Sequence, residues 1–186
     1  MPKVIENLRE TILQQARSLL LESGYDAFTM RAAAARCGIA VGTLYNYFPS
    51  KESLAGGVLL EDWRAELAQM EAECAAAPGL NEGLAALYQG VMRFSAPYRG
   101  IWAGYGFAGS QSLDFARRHR LLVRQLAGCL APLLRRMPAV PPQTDLFLAE
   151  NVLLCAGSSE MDFAAFCAIA QRICEAPGRT AAGLTK

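Results

Sequence analysis

The chain has a single histidine among its 186 residues, and that scarcity narrows its chemistry before any motif is read. His119 has Ser112 and Asp114 near it, but three residues on one helix do not converge into a nucleophile, a base and an orienting group. The six cysteines, at positions 37, 74, 129, 155, 167 and 174, form no C-x-x-C pair and no zinc spacing with His119. Each lies in an apolar helical pattern and reads as a buried free thiol of a reducing cytoplasm. There is no glycine-rich phosphate loop and no carboxylate cluster with metal spacing. No cofactor and no metal are therefore implied, and catalysis is poorly supported. No stretch alternates apolar and polar residues for long enough to make a strand. No run of about eighteen uncharged apolar residues could cross a membrane. Met1-Pro2-Lys3 leads into an amphipathic helix rather than the short apolar core of a signal peptide, so the expected location is the cytoplasm.

What is present is apolar and helical. Apolar residues make up 53% of the chain, ample for a buried core and against disorder. Charged residues make up only 19%, which leaves apolar surface for a partner to cover. Ile5, Leu8, Ile12, Ala16, Leu19 and Leu20 recur at three- and four-residue steps and give a first helix over Ile5–Ser23 with one buried stripe. Pro49-Ser50-Lys51-Glu52 opens a long helix, with Ser50 as its cap and Glu52 near its positive end. That helix runs to about Ala77 through Trp63, Leu67 and Met70, and Pro78-Gly79 ends it. The Gly56-Gly57 pair weakens it locally and offers a point of movement. Further helices are expected at about 81–95, 97–107, 111–137, 143–157 and 159–175, separated by proline and glycine. Residues 178–186 read as a frayed tail.

Thr29 to Leu54, TMRAAAARCGIAVGTLYNYFPSKESL, is the most informative segment. The Thr29 hydroxyl can cap a short helix, and Ala33, Ala34 and Cys37 are small enough for a second helix to cross it closely. Gly38 falls where the first helix must stop, in the left-handed conformation such a stop commonly uses. A second helix from about Ala40 to Phe48 turns Leu44 and Phe48 inward and leaves Thr43, Tyr45, Asn46 and Tyr47 outward. This is a helix-turn-helix, whose second helix enters a DNA major groove. Residues 1–51 carry Lys3, Arg9, Arg17, Arg31, Arg36 and Lys51 against Glu6, Glu10, Glu22 and Asp26. The excess is small, and the whole chain is only +1, so the motif rather than the charge carries the DNA argument.

The segment resembles the DNA-binding signature of the tetracycline-repressor (TetR) family of transcriptional regulators. The resemblance rests on the Ala34–Gly38 turn, on Gly42-Thr43-Leu44-Tyr45 with Tyr47-Phe48, and on Ser50-Lys51 and Leu54. The helix Ile5–Ser23 and the link Gly24-Tyr25-Asp26-Ala27-Phe28-Thr29 also match, so roughly the first third of the chain is covered. Ala40 and Val41 depart from it, since these positions are often polar in the family. The resemblance implies an all-α fold: a three-helix DNA-binding domain over residues 1–50 and a helical ligand-binding and dimerisation domain over 51–186. It implies a regulator, normally a repressor, that binds a palindromic double-stranded DNA operator and is released by a small apolar or aromatic effector. Thr29, Arg31, Tyr45, Tyr47 and Lys51 would hold phosphate. Thr43 and Asn46 would reach base edges beside Gly42, and Ala40 and Val41 would touch a thymine methyl.

In the second part, Leu146, Ala149, Leu153 and Ala156, then Phe163, Phe166, Ala170 and Ile173, follow helical spacing. They read either as internal core or, by the resemblance, as the seam of a homodimer made by a four-helix bundle. Trp63, Met70, Tyr88, Met92, Trp102, Tyr105, Phe107, Phe115 and Leu122 are suited to a cavity, though such stripes are also ordinary core. His119 shares their face and could orient a ligand, while Arg117, Arg120 and Arg124 fall on another face that reads as solvated. Two other readings stay open: an all-helical dimeric protein-interaction module without an effector, and a small helical enzyme.

Overall fold

A computed structural model describes residues 7–99, 113–137, 140–157 and 161–175, with side chains in the second stretch from Arg117 onward. The fold is all-α: α1 Leu8–Ala27, α2 Met30–Cys37, α3 Val41–Tyr47, α4 Lys51–Ala76, α5 Leu80–Ser95, α6 Leu113–Leu134, α7 Thr144–Gly157 and α8 Phe163–Glu175. A 3₁₀ turn, Ala96–Tyr98, follows α5 where a helix over 97–107 was expected, and the rest of that expected helix lies outside the described residues. Helix α1 continues past Ser23, bending at Gly24, whose φ of 74° and ψ of 172° are not helical. Helix α8 begins at Phe163 because Asp162 caps it, its Oδ2 accepting the Ala165 N–H at 3.0 Å.

The helices form two compact units, one made of the chain up to Ala65 with the segment from Phe94, the other of Glu66–Arg93 with the chain from α6 onward. The first unit packs Ile12, Leu13, Ala16 and Leu20 of α1 and Ala33 and Ala34 of α2 around Leu44 and Phe48. Leu54, Ala55, Val58 and Leu59 from the first half of α4 complete that core, together with Tyr98. The Gly56-Gly57 pair has a packing reason in this unit: a Cβ at Gly57 would meet Phe48 Cε1 at 2.9 Å and Leu13 Cδ2 at 3.0 Å. Tyr98 is fully buried, and its hydroxyl donates to Asp62, which also accepts Arg17 Nε at 2.7 Å. Burial first, then the Asp62 carboxylate, pushes the Tyr98 phenol well above its ordinary range, so it stays a neutral donor. Trp63 stacks edge-on against Phe94 at 5.1 Å.

In the second unit α6 packs most extensively against α7, and Leu126, Leu130, Leu148, Val152, Phe166 and Ala170 are buried. Tyr88 of α5 stacks on Phe163 of α8 with ring centroids 4.2 Å apart. Arg93 ties α5 to α4 by pairing with both Glu66 and Glu73, at 2.7 and 3.0 Å. All six cysteines are free, and burial pushes the thiols of Cys74 and Cys129 up to about 11 and about 12, so they are poor nucleophiles.

Met70 is wholly buried, with its Cγ and Sδ only 2.3 and 2.4 Å from where a Cβ on Gly90 would stand. Its thioether fills the space that the glycine leaves, which makes Met70 packing rather than lining. Gly90→Ala should therefore destabilise the protein by about 1–3 kcal/mol through overpacking, despite the better helix propensity of alanine. In a Met70→Ala background the same change should be neutral or stabilising, a reversal that denaturant melts of the four proteins of the cycle will show.

Candidate nucleic-acid interface

The outward face of α3 is set by what α2 and α3 bury. Thr29, in extended backbone, caps α2 with its hydroxyl accepting the Ala32 N–H at 3.1 Å. Gly38 stops α2 with φ 66° and ψ 31°, and the chain closes there in a Schellman arrangement. The Ile39 N–H donates to Ala34 O and the Gly38 N–H to Ala35 O, both at 3.1 Å. Ile39 then packs against the core, and α3 starts at once after Ala40.

One turn on, Leu44 is fully buried and Phe48 nearly so, which fixes the rotation of α3. Tyr45 and Tyr47 are consequently 49% and 43% exposed, large for aromatic side chains on a short helix. Ala40, Gly42 and Asn46 are exposed, and Val41 and Thr43 are half-buried on the same helix. A Cβ on Gly42 would meet nothing within 4 Å, so packing gives no reason for that glycine. Thr29 and Arg31 are exposed at the start of α2, and Arg31 has no ion-pair partner among the described residues. Arg36 is engaged by Glu22 at 2.7 Å.

Lys51 begins α4 right after Ser50, whose Oγ accepts the Ser53 N–H at 3.1 Å. Its Nζ stands 4.1 Å from the centre of the Tyr25 ring, and the Tyr25 hydroxyl donates to Glu52 Oε1 at 3.3 Å. Tyr25 is the one member of this cluster that sequence reasoning did not assign. It is separated from Lys51 by two helices and a turn, so only the fold brings them together. The ring orients the ammonium without neutralising it, since a cation over an aromatic face keeps its charge. Its own backbone N–H and then the Ser50 hydroxyl hold the Glu52 carboxyl below the usual carboxylate range.

This geometry is matched in known proteins. Residues 12–58 fit the family model described as bacterial regulatory proteins, tetR family. The N-terminal unit belongs to the tetR family. The regulator UidR of Escherichia coli K12 is 39% identical to this chain over 61 residues, 33% of this chain and 31% of UidR. The repressor KstR of Rhodococcus jostii is 46% identical over 55 residues, 30% of this chain and 26% of KstR. The match thus spans about a third or less of the curated relatives' length. A solved tetR-family transcriptional regulator of Pectobacterium atrosepticum aligns over 87% of each chain at a TM-score of 0.59 and 22% identity. At that identity the likeness is one of fold.

The residues expected to line a cavity fall in both units or outside the described residues. Trp63 belongs to the first unit and is buried against Phe94, while Met70 is core of the second. Tyr88, Met92, His119 and Leu122 are half-buried in the second unit. His119 Nε2 lies 2.7 Å from Glu150 Oε1 of α7. Trp102, Tyr105 and Phe107, and the side chain of Phe115, lie outside the described residues.

Of the residues expected at the dimer seam, Ala149, Phe166 and Ala170 are buried within their own unit. Leu153, Ala156, Phe163 and Ile173 are half-buried and Leu146 is exposed. Phe147, Leu154 and Ile169 are 47%, 45% and 56% exposed and make up most of the outward apolar surface of α7 and α8. Among the described residues no group of three histidine, cysteine or carboxylate side chains is placed to hold a metal, and no helix is long and apolar enough to cross a membrane.

The two glycines of the motif should separate folding from surface chemistry. Gly38→Ala forces a Cβ into the left-handed region and should cost about 1–2 kcal/mol of stability. Gly42→Ala, with open space around it, should leave stability unchanged or raise it by about 0.5–1 kcal/mol, as read by thermal and denaturant melts.

Proposed function

We propose that the protein is a sequence-specific DNA-binding transcriptional regulator, acting in the cytoplasm as a homodimer on a palindromic operator and normally as a repressor. One observation carries the reading: the helix-turn-helix of a tetR-family unit buries Leu44 and Phe48 and so leaves Tyr45, Asn46 and Tyr47 exposed and Thr43 half-exposed on a helix of the kind a major groove admits. The names of the relatives UidR and KstR, a regulator and a repressor, agree with it. Thr43 and Asn46 supply the base-edge contacts, and Ala40 and Val41 pack on a thymine methyl. Gly42 lets the phosphate backbone come close. Thr29, Arg31, Tyr45, Tyr47 and Lys51 hold phosphates, with Tyr25 steering Lys51.

A two-fold operator needs two copies, and the apolar surface of α7 and α8 supports such a pairing. Leu154 of α7 and Ile169 of α8 are exposed, as are the small Ala164, Ala165 and Ala168 of α8, which let a second pair of helices approach closely. The dimer joins through these outward residues, while Ala149, Phe166 and Ala170 support them from within. A small apolar or aromatic effector, bound in the second unit with Tyr88, Met92, His119 and Leu122 as its candidate contacts, releases the DNA by favouring a state that misfits the operator. The reaction is binding, and no step of it requires catalysis.

Lys51→Ala should weaken operator binding on every sequence and lower the salt slope by about one, while Thr43→Ala or Asn46→Ala should relax base preference by about 1–3 kcal/mol at one position. Gel shifts against genomic fragments and a selected operator measure both. A protein that prefers no fragment over random DNA at physiological salt would refute the regulator reading. Leu154→Glu with Ile169→Asp should yield a folded monomer by light scattering, because a charge buried in an apolar seam loses hydration without a partner. An effector should both raise the melting temperature and weaken the operator complex, and a ligand that does only the first is not acting through a switch.

A further inference from the structure

Tyr25 touches two neighbours of opposite charge at the start of α4, one with its ring and one with its hydroxyl. Helix α1 leaves helical backbone at Gly24, directly before it, and the half-buried Tyr25 packs against the core of the first unit. Apolar packing therefore fixes the ring before any partner arrives. Its face carries the Lys51 Nζ at 4.1 Å from the centroid, and its hydroxyl donates to Glu52 Oε1 at 3.3 Å.

Glu52 is the acid next to Lys51 in the chain, and both side chains are long enough to meet. An acid that paired with the lysine would cancel the charge a phosphate needs. Lys51 nevertheless has no ion-pair partner among the described residues. The Glu52 carboxylate is served elsewhere: its own backbone N–H and the Ser50 hydroxyl act on it most, the Tyr25 hydroxyl follows, and the charge of Lys51 acts least. These donors are neutral, so they satisfy the carboxylate without consuming a cation. A cation held over an aromatic face likewise keeps its charge.

We infer that Tyr25 is a positioning residue with two separate tasks in phosphate binding: its ring holds the Lys51 ammonium in place, and its hydroxyl keeps the Glu52 carboxylate from neutralising that ammonium. The inference rests on the regulator reading and goes beyond the steering of Lys51 by giving the hydroxyl a task of its own. Without the ring, the lysine side chain must be ordered at the moment of binding. Without the hydroxyl, the carboxylate is released to pair with the lysine and compete with the phosphate. The two losses carry different signatures.

Binding of the full-length protein to a random-sequence DNA duplex, followed by fluorescence anisotropy over a salt series, tests it, since phosphate contacts are indifferent to sequence. Tyr25→Phe keeps the ring and should weaken binding about two- to fivefold, the size of an exposed ion pair. That loss should vanish in a Glu52→Gln background. Tyr25→Leu should weaken binding in both backgrounds and add little to Lys51→Ala, which itself lowers the salt slope by about one. An equal Tyr25→Phe loss with and without Glu52→Gln would reduce the hydroxyl to a structural role and overturn the proposal. A Tyr25→Leu loss that persists in full beside Lys51→Ala would do the same for the ring. If Lys51→Ala weakens binding and Tyr25→Phe does not, the proposal fails while the regulator reading stands. If Lys51→Ala changes neither affinity nor slope, the phosphate contact fails and the proposal falls with it.

Discussion

The burial of Leu44 and Phe48 against α1 and the first half of α4 is the constraint from which the first unit follows. A seven-residue helix has too few hydrogen bonds to hold itself, so α3 exists as a helix only because these two side chains are gripped. Fixing them fixes the rotation of α3, and rotation alone decides that Tyr45, Asn46 and Tyr47 meet solvent. Gly57 belongs to the same constraint from the other side. By lacking a Cβ it lets α4 lie directly on Phe48 and Leu13, closer than any other residue would allow. Two of the three large exposed aromatics among the described residues thus stand on the most dependent element, an arrangement that makes sense for a surface that must contact something else.

A second constraint is polar. Asp62 accepts hydrogen bonds from both Arg17 and Tyr98, joining α1, α4 and the 3₁₀ turn that follows α5. Tyr98 is fully buried, so its hydroxyl would cost free energy if left unpaired, and among the described residues no buried side-chain polar atom lacks a partner. The consequence is that a segment distant in sequence belongs to the core of the first unit. That unit is therefore discontinuous in the chain, and a fragment ended within α4 would leave Asp62 and its neighbours uncovered.

The second unit sorts its apolar residues by a simpler rule. Side chains facing the α6–α7 contact are buried to the last few per cent, while those on the opposite surface of α7 and α8 are left about half exposed. A chain with charge this sparse has little polar surface with which to cover that face, so the exposed residues become the natural place for association.

By itself the sequence determined the helical class, the place of the turn at Gly38, the inward pair Leu44 and Phe48, and the family of the first unit. These are local properties: a cap, a left-handed glycine and a three-to-four-residue period are each written within a dozen residues. Tertiary structure decided what depends on residues far apart. It brought Tyr25 over Lys51 and Tyr98 onto Asp62. It made Met70 a filler for Gly90 rather than a cavity wall. It turned Phe166 and Ala170 inward while leaving Leu154 and Ile169 outside. Periodicity reports that a helix has an apolar face but not what that face meets. The neighbour is chosen by how all the helices share their buried area, and that choice is not contained in any one segment.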